Sequence, residues 1–301
     1  MKLRLLACVV LAVAAIRPVP ASAPATRSPA GRINWRPISL VWQEAIGVSI
    51  RGGKVDYTKL KDAEREKRLK TYVELLAQPR RLETRDKEMA FWLDAYNACV
   101  IAGIVERYPK IKSVMEVKDF FTAKRWEVNG AKRSLSEIEN DIIRPKFKDP
   151  RVHFILVCGA RSCPPLQPYA MNGFALQRDL DWATRQVVND PRYVQIDAKA
   201  KRLRLTRIMS WHKQDFVDKY GSLEAFLLRY LGEPERSQLK QGEYSIEFMP
   251  YDWSLNDARA ATPTKPARQG AHRQAGSPST GAGTRARVRT SGRSTAPRPS
   301  G

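Results

Sequence analysis

The sequence predicts an α+β fold, a mainly helical single domain around a small, mainly antiparallel sheet. Three observations lead there. The stretch RDKEMAFWLDAYNACVIAGIVERY, residues 85–108, carries apolar or aromatic side chains at nearly every core-facing position and stops at Pro109, which specifies a long central helix buried on much of its surface. In RWEVNGAKRSL, the pair Asn129-Gly130 separates two short extended runs, the signature of a type I′ hairpin. The run VHFILVC, residues 152–158, is continuously apolar, of strand length, and ends at Gly159, which fits a strand buried on both faces. With 301 residues, 43% of them hydrophobic, the chain is long enough to bury a real core.

Taken in order, residues 1–23 (MKLRLLACVVLAVAAIRPVPASA) begin with Lys2 and Arg4, continue with an apolar stretch from Leu5 to Ile16, and close on a small-x-small ending at Ala21 and Ala23. This is the layout of a secretory signal peptide, so the mature protein is expected to be periplasmic or secreted. Too little hydrophobic sequence precedes Cys8 for LLAC to act as a lipoprotein cleavage box. Residues 24–36 read as a Pro-, Ser- and Arg-rich leader, and the α+β domain is expected over 37–257. SLVWQEAI starts its first short helix, and Asp56 is placed to cap a helix running to about Ala77. After the hairpin, Ser134 and Glu137 form a capping box for a helix that should end before Pro145, bringing Glu137 and Glu139 into the middle of the domain. Residues 174–189 read as helix, YVQIDAKAKRLRL as a second hairpin, and 207–219 and 222–231 as two further helices. No internal repeat is present.

The charge is unevenly placed. Of the formal +22, six basic and no acidic residues lie in 1–36 and nine basic and no acidic residues in 258–301, which leaves +7 for residues 37–257. The last segment, mostly Ala, Gly, Ser, Thr and Pro between its arginines, cannot bury enough apolar surface to offset the cost of ordering and is expected to be a disordered basic tail. Its chemistry suits an anionic envelope surface, or simple solvation, and calls for no specific nucleic acid. The leading apolar stretch is short for a bilayer and no later stretch reads as long or uncharged enough, so no transmembrane helix is expected in the mature chain.

Removing the signal leaves Cys99, Cys158 and Cys163, an odd number in a compartment where disulfides persist. Cys163 follows Arg161 in a glycine-containing loop and precedes Pro164, which suits the first turn of a helix. A thiol at a helix N-terminus beside an arginine has its thiolate, the nucleophile, stabilised. A Cys158–Cys163 disulfide is the competing arrangement. His153 heads the apolar run, and a five-residue strand interval spans about 17 Å at ~3.3 Å per residue. It is therefore either a base brought near Cys163 by a folded-back loop, or a buried structural residue bonded to a carboxylate such as Glu139. Asp94 and Asn97 share a helical face, and a buried Asn97 must bond a neighbouring backbone or orient a site residue. In SWHKQDF and YDWSLN, Trp211, Phe216 and Trp253 read as core anchors, and Asp215 and Asp252 as partners for caps or arginines. The C-x4-C spacing has no second paired half and few histidines remain, so no metal is expected; no Walker or Rossmann glycine pattern and no G-x-S-x-G elbow occurs, so no cofactor is expected either.

FWLDAYNA, LSEIE, HFILVCGARSCPPL, SWHKQDF and YDWSLN, in this order and spacing, closely resemble the family known as domain of unknown function 547, over about residues 55–256. The resemblance implies a single α+β domain whose most recognisable positions here are Trp92, Tyr96, Asn97, Glu139, His153, Cys158, Cys163, Pro164 and Pro165. A cysteine, a histidine and an Asn or acid are also similar to the set used by papain-like thiol hydrolases, although His153 precedes Cys163, opposite to their usual chain order. Two functions are compatible with these residues. The first is a thiol-dependent hydrolase or acyl/peptide-transfer enzyme of the cell envelope. In it Cys163 is the nucleophile, His153 the base, Glu139 or Asn97 its orienting partner, and N–H groups of residues 159–162 the oxyanion donors, with Cys158, Arg161, Tyr96 and Trp92 supporting substrate or site. The alternative is a non-catalytic envelope binding or scaffold domain with a structural Cys158–Cys163 motif; dithiol redox work ranks third, since the spacing is wider than C-x-x-C.

Overall fold

Each element in the structure has a local cause, and several of them end where the site needs them to. A computed structural model describes residues 35–259, and the expected signal segment, nearly all of the leader and the basic tail lie outside them. Helix α1 (Trp35–Ala45) lays Trp42 edge-on to Tyr72 of α3 (Ala63–Ala77), with ring centroids 5.5 Å apart. Between them a two-stranded hairpin pairs β1 (Ile50–Arg51) with β2 (Lys54–Val55). Asp56 caps a helix as expected, its carboxylate accepting from the Lys59 N–H at 3.0 Å, but that helix, α2, covers only Tyr57–Leu60. The chain breaks at Asp62, whose carbonyl accepts from the Glu66 N–H and so starts α3 as a second helix with Glu64 and Glu66 in its first turn.

Helix α4 (Arg85–Val105) is the centre of the larger core: every residue from Met89 to Val105 is buried. Thr84 starts it, its hydroxyl oxygen accepting from the Lys87 N–H. Contrary to the reading that no later stretch is apolar enough, α4 is the one helix among the described residues long and apolar enough to cross a bilayer; 89% of its most apolar window is buried inside the protein. The predicted hairpin pairs β3 (Trp126–Val128) with β4 (Ala131–Arg133), and Asn129 (φ 49°) and Gly130 (φ 76°) take the left-handed conformations that a type I′ turn requires.

The capping box also forms: Ser134 Oγ accepts from the Glu137 N–H at 3.0 Å, and Glu137 Oε2 accepts from the Ser134 N–H at 2.8 Å. The helix beyond the box departs from expectation. Residues Glu137–Ile143 wind as a π-helix that runs straight into α5 (Arg144–Phe147), so the helix passes through Pro145 instead of stopping before it. The wider turn bonds the Arg144 N–H to the carbonyl of Glu139, five residues back, and Pro145 comes next in a first turn where a missing N–H costs nothing.

The predicted strand at 152–158 is not one. Residues Pro150–Phe154 form a 3₁₀ turn, and 156–158 run on without a sheet partner. The burial on both faces was read correctly, since Pro150–Val157 are all buried. However, the apolar pattern of a short run does not specify what will satisfy its backbone, and here a side chain of α4 does so. The second half adds α6 (Leu176–Val188) and the expected hairpin of β5 (Val194–Asp197) with β6 (Arg202–Leu205). The region read as two helices is three: α7 (Arg207–Trp211), α8 (Lys213–Tyr220) and α9 (Leu223–Tyr230), the first pair broken at His212. Helix α10 (Glu235–Lys240) comes next, then β7 (Ser245–Phe248), which joins β6 in parallel and was not anticipated. The fold is α+β, with helices around three small sheets whose pairings are antiparallel apart from β6–β7. A smaller core of Phe154, Phe216, Phe226 and Leu227 packs α8 and α9 over this last sheet.

One buried ion pair joins the two cores. Asp149, 6% exposed, pairs with Arg151 at 2.6 Å and with Lys219 of α8 at 2.8 Å. Burial by itself raises the Asp149 pKa, but the bonds from Arg151 and Lys219 outweigh it and hold the carboxyl down to about 2. An unfolded aspartate titrates near ~3.9. The folded pKa is therefore the lower one, and the stabilisation it gives is fully present above about pH 4 and lost as the pH falls through about 2. Asp149→Asn is expected to cost about 2 kcal/mol or more at pH 7 and much less near pH 2. Denaturant unfolding of both proteins at the two pH values checks this; an equal loss at both would assign the effect to packing instead of charge.

Candidate active site

The site begins with a buried amide. Asn97, on α4 and 3% exposed, donates from Nδ2 to the carbonyl of Ile155 at 3.0 Å and accepts at Oδ1 from the N–H of Val157 at 2.9 Å. Two backbone groups that a sheet neighbour would otherwise pair are satisfied by one side chain, so residues 155–157 lie against α4 with no strand beside them. Of the two sequence readings, Asn97 fixes a neighbouring backbone; it does not orient the His153 ring. Asp94, one turn earlier, accepts from the Met171 N–H at 3.0 Å, and burial pushes its pKa well up.

From this clip the chain turns at Gly159, whose φ of +85° favours glycine and whose Cβ, were there one, would lie 2.4 Å from Ile104 Cδ1. The turn returns Cys163 against Cys158. The Cys158 N–H donates to Cys163 Sγ at 3.1 Å, and the Tyr251 hydroxyl lies 3.2 Å from Cys158 Sγ and 3.1 Å from Cys163 Sγ. Both cysteines are free thiols, so the structure shows a hydrogen-bonded sulfur pair where a disulfide was the competing expectation. The pair is asymmetric. The bond to Cys163, and then burial, push the Cys158 thiol well up, so Cys158 keeps its proton. At Cys163 burial acts in the same upward direction. It is outweighed by bonds from the Cys158 side chain, the Tyr251 hydroxyl and the N–H groups of Ala160 and Cys158, which leave this thiol below its ordinary range.

The cause of that lowering is not the one the sequence suggested. No helix follows Cys163, because Pro164, Pro165 and Pro168 carry the chain on as irregular structure. Arg161 lies near Asp252, Nε to Oδ2 at 3.6 Å, and is not among the groups that lower Cys163. The N–H groups of Arg161, Ser162 and Cys163 are not left for an oxyanion, since they donate to the carbonyls of Ser254, Asp252 and Ala160. The segment 251–257 thereby clamps the loop, with Ala160 bridged to Leu255, the Asn256 N–H on the Gly159 carbonyl, and Tyr57 donating to Asn256 Oδ1 at 2.6 Å.

The second half of the site is a cluster of imidazoles and carboxylates. His153, 3% exposed, sets its ring parallel to that of His212, with centroids 3.8 Å apart and planes at 15°. Its Nε2 lies 2.7 Å from Asp215 Oδ2, and Arg144 grips the same carboxylate with Nε at 2.8 Å and Nη2 at 3.0 Å. Burial by itself raises the Asp215 pKa, yet the bonds from His153 and Arg144 hold it far below the usual carboxylate range. The carboxylate bonded to His153 is thus Asp215, where Glu139 was expected. Glu139 stands on the π-turn with Oε1 3.7 Å from His212 Nε2; burial raises its pKa, against the pull of His153 and a hydrogen bond from Tyr96.

Both halves line one pocket of about 370 Å³, walled by Trp211, Trp253, Tyr251 and Phe121. The structure brings together Cys163, Cys158, His153, Glu139 and Tyr96 there, with His153 held by Asp215 and His212 and Cys163 by Cys158 and Tyr251. Asn97 stands behind the wall. Trp92 is outside it, against Arg133 and Phe91. Phe216 is a core residue as read, but Trp211 and Trp253 are half-buried pocket walls, their rings 5.6 Å apart. His212, Arg144 and Tyr251 were not singled out from the sequence. The signal for His212 was present in SWHKQDF, where His212 and Asp215 stand three residues apart at the start of a helix.

Residues 79–187 match the sequence pattern of a family described as "Protein of unknown function, DUF547", and over these residues the chain resembles that family. No curated protein and no solved structure matches the chain. The matched segment holds Asn97, Glu139, His153, Cys158 and Cys163, while His212, Asp215 and Tyr251 lie beyond it. Replacing Asn97 by alanine leaves a buried carbonyl and a buried N–H unpaired. It is expected to lower stability by about 2–6 kcal/mol, at ~1–3 kcal/mol for each of the two orphaned groups. Chemical denaturation measures it, and a loss under ~1 kcal/mol would mean that residues 155–157 find other partners.

Proposed function

We propose that this protein is an exported, thiol-dependent hydrolase or acyl-transfer enzyme of the cell envelope, with Cys163 as its nucleophile. The observation that carries the reading is the Cys163 sulfur itself, on the wall of a pocket and receiving hydrogen bonds from the Cys158 N–H at 3.1 Å and the Tyr251 hydroxyl at 3.1 Å. Several donors on the sulfur, beside a thiol that keeps its proton, lower the Cys163 pKa and favour the thiolate, which is the attacking form. It forms a C–S bond to an acyl carbon, the bond from that carbon to the amine or alcohol breaks, and the leaving group departs with a proton from solvent or from the hydroxyl and thiol beside it. Water, or an acceptor amine, then attacks the thioester, the C–S bond breaks, and the thiolate is restored with release of one proton. The aromatic wall of Trp211, Trp253 and Phe121 supplies the apolar part of the binding surface. Export rests on residues 1–23, and the basic segment 258–301 is suited to hold the enzyme to an anionic surface.

A non-catalytic binding domain is the second reading, favoured by the 5% exposure of Cys163. The two part on reactivity. Iodoacetamide labelling against pH, with each cysteine mapped by mass spectrometry, is expected to show Cys163 reacting with an apparent pKa below the ~8.5 of a free thiol. Tyr251→Phe removes one donor and should raise that value. Labelling that persists unchanged in Cys163→Ala, or a Cys163 that titrates at or above ~8.5, would leave the binding domain as the better account.

A further inference from the structure

The cluster opposite the thiols has the composition of a metal centre. Glu139, His153 and His212 each offer one donor atom, and these atoms all lie within 4.8 Å of one another. The chain has three histidines, and the two in the described residues both stand here, stacked at 3.8 Å. We propose that Glu139, His153 and His212 bind a divalent transition ion of the zinc kind, with Asp215 and Arg144 as the groups that position His153. This goes beyond the thiol chemistry proposed above and does not depend on it.

The placement of each ligand has a structural cause. Glu139 lies on the π-turn, where the extra residue per turn rotates its carboxylate toward the pocket. His212 occupies the break between α7 and α8, a position that aims it across at Glu139. His153 is fixed through Nε2 by Asp215, which is fixed in turn by two bonds from Arg144. A neutral ring that donates from Nε2 keeps its lone pair on Nδ1. A carboxylate on the nitrogen away from the ion is the usual partner of a metal-bound imidazole, because it fixes the tautomer and raises the basicity of the ligating nitrogen.

The donor set also selects the ion. Two imidazoles and one carboxylate suit zinc and its neighbours in the first transition row, while calcium and magnesium prefer all-oxygen sites. Metal–ligand distances of about 2.0–2.2 Å correspond to donors roughly 3.4 Å apart in a tetrahedron. The Glu139–His212 edge is already 3.7 Å and no edge of the cluster exceeds 4.8 Å, but the two rings are stacked 3.8 Å apart. Binding therefore requires the His212 ring, at the break between α7 and α8, to turn out of the stack until its in-plane lone pair meets the ion. Charge points the same way: Glu139 and Asp215 both lie beside the Arg144 guanidinium, and a dication would add positive charge next to two carboxylates. Three protein ligands leave a fourth position open for water or substrate, and all three line the same pocket as the two sulfurs.

The test uses the full chain, stripped with a chelator, in a background where Cys158 and Cys163 are both alanine so that no pocket thiol can ligate. Titration with Co²⁺, followed by its visible absorption and by displacement with Zn²⁺, should show one equivalent bound. His212→Asn and Glu139→Gln should each weaken binding about tenfold or more, and Asp215→Asn by about 10–100-fold. Thermal unfolding without metal reports whether each variant still folds, and the rise in Tm on adding Zn²⁺ should vanish in those that lose the site. His212 and Glu139 are both partly exposed, so at least one of these variants is expected to fold and decide the matter. No binding in the thiol-free background, or binding that both substitutions leave intact, overturns the proposal. Neither result touches the Cys163 labelling, which is measured on metal-free protein.

Discussion

The two hydrogen bonds of the Asn97 amide are the constraint on which the rest of this structure depends. A segment as apolar as residues 152–158 has two ways to bury itself, as a sheet strand or as a chain outside any sheet whose backbone is satisfied locally and by side chains. Asn97 selects the second by occupying the Ile155 carbonyl and the Val157 N–H. Because the clip is on α4, the most buried helix of the larger core, the segment is held to a rigid support and not to a neighbouring strand that could shift register. His153 and Cys158 flank the clip on either side, so one amide sets the position of both halves of the pocket. Losing it would orphan two buried polar groups at the very place where the site needs least freedom.

The other site residues arrive at interruptions of regular structure. Glu139 comes on a π-turn, His212 at the junction of two helices, Gly159 and Cys163 in a turn with a left-handed glycine, and Tyr251 on a chain segment that forms only isolated bridges. Each interruption leaves backbone groups to be satisfied locally, and the structure shows where they go. The clamp of residues 251–257 takes up the loop's N–H and carbonyl groups, and in doing so brings the Tyr251 hydroxyl onto both sulfurs. The same bonds that hold the loop consume N–H groups that an oxyanion would have used. The donors near the sulfurs stabilise a charge on Cys163 instead.

Features with a local cause were legible in the sequence. Asn129-Gly130 can be little other than a type I′ turn, Ser134 and Glu137 satisfy each other's N–H groups without outside help, and α4 announces itself by its length and its stop. The lining of the candidate pocket was legible in part as residue types, since Cys158, Cys163, His153, Glu139 and Tyr96 were named and line it, while Asn97, Arg161 and Trp92 were named and do not. The pairings were not. That His153 bonds Asp215, 62 residues on, and that Cys163 is held by Tyr251, 88 residues on, are facts of tertiary structure with no local trace. Pro145 misled for a related reason: the rule that proline ends a helix assumes α-geometry, and the π-turn before it removes the assumption.

The asymmetry of the sulfur pair bears on how a cysteine can be activated here without an imidazole bonded to it. In a Cys–His ion pair the thiolate is stabilised by a cation, so nucleophile and base must touch, and the ~17 Å inferred from a ~3.3 Å strand rise counted against His153. In this pocket the stabilising groups are neutral donors, two N–H groups, a hydroxyl and a thiol, all held by the fold around a sulfur that is 5% exposed. Burial acts against the charge, but the same low dielectric strengthens each of these bonds, and the fold fixes the positions of the donors. Cys158 completes the device, since its own raised pKa keeps it a donor over the range in which Cys163 ionises. The imidazoles, not paired with sulfur, stand with carboxylates in the same pocket, where they stack on each other and Asp215 holds His153.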